Sequence, residues 1–62
     1  MRTVCYLIEN TPEALRTCRD VELAIPCFTS RTYLPDRSAF EFKIECREQD
    51  LPFVERMLAP YV

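Results

Sequence analysis

The chain has 62 residues, 48% of them hydrophobic and 29% charged, with a formal net charge of -2. Such a composition is globular rather than disordered, and the length allows one small domain, close to the lower limit at which a core is stable unaided. Glycine and histidine are both absent, which excludes Gly-rich phosphate loops, the usual general base, the usual zinc ligand and the histidine pH switch.

Residues 3 to 8, TVCYLI, are β-branched and aromatic-rich and predict a first strand. Next, Thr11 suits an N-cap, Pro12 the first helical position and Glu13 the positive end of a helix dipole. Ala14 or Leu15, Cys18 and Val21 recur at helical spacing, which predicts a helix from Pro12 to about Asp20. Pro26 bars a helix through the following segment but tolerates the start of a strand, expected from Cys27 to Tyr33. Leu34 to Ser38, LPDRS, supplies turn chemistry, with Pro35 at the second turn position and Asp36 at the third. AFEFKIECR, residues 39 to 47, alternates without a fault: Phe40, Phe42, Ile44 and Cys46 on one side, Glu41, Lys43, Glu45 and Arg47 on the other. Asp50 as a cap, Pro52 in the first turn and a stripe of Leu51, Val54, Leu58 and Tyr61 predict a second helix, which Pro60 limits to about residue 59.

The predicted order is β-α-β-β-α, an α+β domain spanning residues 1 to 62. A helix between the first two strands lets them run parallel, with the third between them and antiparallel to both. The expected three-stranded, mainly antiparallel sheet has strand order 1-3-2, with 3-2-1 as the alternative, and both helices on one face. This arrangement resembles most of a ferredoxin-like unit lacking its last strand. Phe40, Phe42, Ile44 and Cys46 then lie under the helices with Val4, Tyr6 and Ile8, and the charged row lies on an open face.

Cys5, Cys18, Cys27 and Cys46 are separated by 13, 9 and 19 residues, so no short C-x2-4-C pair marks a zinc site and no metal or other cofactor is expected. Cys18 and Cys46 fall in core phase, where a free thiol packs as a small apolar group. Cys5 and Cys27 are expected to share the open face, which makes them the one candidate redox pair. The apolar run in MRTVCYLIEN is too short for a signal-peptide core. A cytoplasmic location with reduced thiols is therefore expected.

The segment RSAFEFKIE has a passing likeness to the aromatic third-strand motif of RNA-recognition domains. Its phase is wrong, because presenting Phe40 and Phe42 to bases would press Glu41, Lys43 and Glu45 into the core. Seven arginines against one lysine fit either an Arg-rich binding surface or the codon usage of a GC-rich genome. A nucleic-acid-binding module using Arg2, Arg31, Arg37 and Arg47 on the open sheet face is the rival reading. Glu41 and Glu45, two strand steps apart with Lys43 between them, are the only candidate for carboxylate chemistry. An open face offers no pocket to shift their pKa values, and no enzyme is expected.

Protein binding is the favoured reading: a non-catalytic module that occupies a surface of a larger protein, with homodimerisation compatible and no membrane partner. The candidate residues are Glu41, Lys43, Glu45, Arg47, Glu48 and Asp50, with Arg31 and Tyr33 as neighbours of the hot-spot type. In size and mild acidity the chain is similar to phage and mobile-element inhibitors of bacterial defence, anti-CRISPR proteins among them. That similarity implies one of two modes. Either Glu41, Glu45, Glu48 and Asp50 compete with phosphates for a basic channel, or Tyr33 and Arg31 anchor on a subunit surface.

Overall fold

A computed structural model describes residues 1–62. Strand β1 spans Arg2–Glu9, helix α1 Pro12–Ala24, strand β2 Cys27–Leu34, strand β3 Ala39–Cys46 and helix α2 Leu51–Leu58. The Thr11 hydroxyl accepts from the Ala14 backbone N–H at 3.2 Å, so the predicted cap forms, with Pro12 just inside it. α1 runs one turn past Asp20. The buried stripe Ala14, Cys18, Val21 carries it on, and it stops where Ile25, preceding Pro26, turns extended. Asp50 does not cap α2. It has helical φ and ψ, makes no side-chain cap bond, and its carboxylate instead accepts from Arg47 Nε at 2.8 Å.

The sheet has the order β1-β3-β2, with β3 antiparallel to both neighbours. Register is unbroken on both sides: Leu7 and Thr32 flank Glu41, Tyr6 and Arg31 flank Phe42, and Cys5 and Ser30 flank Lys43. Residues directly opposite one another share a face. The β2 to β3 connection is a single 3-10 turn, Pro35–Arg37, closed by Ser38 at φ 49°.

Both helices pack on the face that carries Phe40, Phe42, Ile44 and Cys46. These four join Ile8 of β1, Ala14, Cys18 and Val21 of α1, and Leu51, Val54 and Leu58 of α2 in one hydrophobic core. Ala14 rather than Leu15 is the core residue of the first helical turn. The buried phenylalanines bear out the phase argument against base stacking, since neither ring reaches the open face. No helix is long and apolar enough to cross a membrane.

Candidate functional site: the open sheet face and the edge of β2

The open face is built from alternate residues of three strands. β1 contributes Thr3, Cys5 and Leu7, β3 contributes Glu41, Lys43 and Glu45, and β2 contributes Phe28, Ser30 and Thr32. Phe28 lies opposite Glu45 and is 71% exposed, and Leu7 lies opposite Glu41 and is 43% exposed. A large aromatic left this open on a strand contributes little to the core. Thr3, Phe28, Ser30, Lys43 and Glu45 line a shallow depression of about 330 Å³. The Thr3 hydroxyl donates to Glu45 Oε2 at 3.5 Å, while Lys43 makes no ion pair.

Three of the expected site residues lie elsewhere on the surface. Arg47 follows β3 and is held by Asp50, and Glu48 pairs with Arg2 at 3.4 Å. These two ion pairs engage Glu48 and Asp50, so Glu41, Glu45, Glu48 and Asp50 do not form one unpaired anionic row.

Arg31 and Tyr33 are not on the open face at all. They stand opposite Phe42 and Phe40, on the helix side of the sheet. Tyr33 is 56% exposed there. Arg31 lies 6.0 Å from the centre of the Phe42 ring and donates to Glu22 Oε1 at 3.1 Å. Thr29 donates to the same oxygen at 2.9 Å, so one carboxylate ties α1 to two residues of β2.

The same register separates Cys5 from Cys27, which overturns the expected redox pair. Cys5 is exposed on the open face, and Cys27 faces Cys46 on the helix side, its thiol donating to the Glu22 carbonyl at 3.9 Å. All four thiols are free, and no three metal-ligating side chains gather anywhere in the fold. Burial pushes the Cys18, Cys27 and Cys46 thiols above their ordinary pKa. Burial thus disfavours their thiolates, and Cys18 and Cys46 pack within the core with Cys27 against it.

The bounds of the turn decide the phase of β2. A turn over Leu34 to Ser38 would pair Tyr33 with Ala39, whereas Leu34 ends β2 and stands opposite Ala39, which puts Phe28 opposite Glu45 and Arg31 opposite Phe42. Phe28, Arg16 and Arg19 are the surface residues the sequence reading missed. Comparison with protein-family models, with curated proteins and with solved structures finds no match for this chain.

Proposed function

We propose that the chain is a non-catalytic protein-binding module that acts by occupying a surface of a larger protein, with its open sheet face as the contact. The observation that supports this reading most is Phe28, 71% exposed on a face that neither helix covers, with Leu7 and the Glu41–Lys43–Glu45 row beside it. An aromatic anchor ringed by polar residues is the anatomy of a binding hot spot. Of the two inhibitory modes, phosphate mimicry loses support because Glu48 and Asp50 are already held by arginines. Surface masking keeps it only with Phe28 as the anchor in place of Tyr33 and Arg31, which lie on the helix side of the sheet. An inhibitor of bacterial defence would act in this way. That finer reading draws on size and charge alone.

The nucleic-acid reading has less support. Of Arg2, Arg31, Arg37 and Arg47, three are in ion pairs, and Arg2 and Arg31 are in register with helix-side residues of β3. The test is affinity capture from a lysate of the source organism, with and without nuclease treatment, on immobilised wild-type protein and on Phe28→Lys, a change that places a lysine opposite Glu45 and leaves the core untouched. One protein partner retained by the wild type and lost by the variant is expected. Nucleic acid as the only captured species, lost on nuclease treatment, would overturn the reading.

A further inference from the structure

Besides the open face, the sheet has two outer edges, β1 and β2, and that of β2 has the groove of α1 beside it. β2 ends the sheet, all eight of its residues pair with β3 without a bulge, and every residue from Phe28 to Tyr33 is exposed. None of the backbone hydrogen bonds outside the helices and strands involves it. The strand holds no proline and one charged residue, Arg31. It therefore lacks the usual protections of a sheet edge, and its outward N–H and C=O groups are a template for another strand.

What runs along this edge is basic. Between α1 and β2 lies a groove of about 610 Å³ lined by Leu15, Arg16, Arg19, Glu22, Leu23 and Arg31. Glu22 is its only carboxylate and is already committed to Thr29 and Arg31, while Arg16 and Arg19 make no ion pair. The groove thus carries three positive charges against one negative, within a chain whose net charge is -2. Leu23, 79% exposed, adds an apolar rim.

From the free edge and the unneutralised arginines together we propose that β2 accepts an extended acidic segment of a partner polypeptide as a fourth strand. Side chains alternate across a sheet. One set of the incoming strand therefore lies beside Thr29, Arg31 and Tyr33 under the arginine groove, and the other beside Phe28, Ser30 and Thr32. Carboxylates at every second position meet Arg16, Arg19 and Arg31. β-branched residues at the intervening positions extend the Phe28 side. A second copy of this chain is the wrong occupant, because two-fold pairing through β2 brings two such arginine sets together. The inference rests on the protein-binding reading only in that its ligand is a polypeptide, since the surface is a different one.

The test uses a short, end-blocked peptide alternating Glu and Val, titrated into the isotopically labelled protein and followed by amide shifts and amide exchange. Slowed exchange within Phe28–Tyr33 and shifts there and around Arg16 and Arg19 are expected, with affinity reduced by about tenfold or more in the Arg16→Glu/Arg19→Glu double variant and by added salt. Both arginines are exposed on α1, and an otherwise unchanged spectrum confirms that the variant is folded. N-methylation of the peptide at alternate residues on its pairing edge should abolish the effect. Equal binding of a Lys and Val peptide, shifts mapping to Thr3, Lys43 and Glu45, or no shift at millimolar peptide would each overturn the edge site. The Arg16→Glu/Arg19→Glu change on α1 leaves the open sheet face untouched, so a partner lost by Phe28→Lys and kept by the double variant is held by the sheet face, and failure of one proposal is distinguishable from failure of the other.

Discussion

Phe28 and Phe42 have the same side chain on adjacent strands, and the register assigns them opposite fates. Phe42 is completely buried in the core, and Phe28 is 71% exposed. Full burial of a phenylalanine stabilises by about 1.5–3 kcal/mol, so the buried three-tenths of Phe28 contributes about 0.5–0.9 kcal/mol. Removing Phe42 instead leaves a cavity, and Phe42→Ala is expected to lose about 3–5 kcal/mol. A chain of this length has a total stability of about 3–9 kcal/mol at the usual value per residue. Phe28→Ala should therefore stay folded with a slightly lower midpoint, and Phe42→Ala should lose from about a third of its stability to all of its cooperative transition. Urea unfolding followed by far-ultraviolet circular dichroism reads both, since the chain has no tryptophan. An unchanged slope with denaturant marks a true stability change. A loss for Phe28→Ala as large as that for Phe42→Ala would refute the reasoning. It would mean that β2 is paired with the opposite phase, which turns Phe28 inward and sends Arg31 and Tyr33 to the open face.

Three further outcomes follow from buried polar groups. The Tyr6 hydroxyl is enclosed without a hydrogen-bond partner, so Tyr6→Phe should be neutral or stabilise by about 1 kcal/mol in the same urea assay. The pKa of Tyr6 is raised, first by its burial and then by Glu55 and Cys46, and Cys18, Cys27 and Cys46 are raised above 9.0 chiefly by burial. Over that range the folded chain holds protons that the unfolded chain has released. Stability is therefore complete below pH 9 and falls as pH rises through the higher native values, which urea midpoints measured across that window check. Timed labelling with a maleimide at neutral pH, read by intact mass, should modify the exposed Cys5 first, with Cys18 and Cys46 reacting only as the chain opens.

The parts of the fold that were legible in the sequence are those where burial differs sharply between neighbours. β3 is central and covered on one side only, so its alternation identified both the strand and its dry face. The Thr11 cap and Pro26 marked the limits of the region that holds α1, and a helix between two strands restricted the strand order. β2 was different. As an edge strand with no buried residue it is wet on both faces, and the run from Phe28 to Tyr33 carries no alternation to reveal its phase. The open-face residues of β3 were therefore placed correctly and those of β2 were not, which split Arg31 and Tyr33 from Glu41 and Lys43 and separated Cys5 from Cys27. Asp50 was misread because a local ion pair with Arg47, invisible in a list of capping residues, took the carboxylate. The arginine groove was hidden for a similar reason. Arg16 and Arg19 meet Arg31 only once α1 is laid beside β2.

The most direct test of the sheet-face account is site-specific photo-crosslinking in lysate, with benzoylphenylalanine replacing Phe28 in one protein and the exposed Arg56 of α2 in another. The bulky aromatic at Phe28 stays on the open face and preserves the anchor, while the same group at Arg56 reports on the far side of the molecule. The account predicts a single protein adduct from the Phe28 position and none from Arg56. An adduct from Arg56 with none from Phe28 would contradict it, because the contact surface would then be the helical layer and not the sheet.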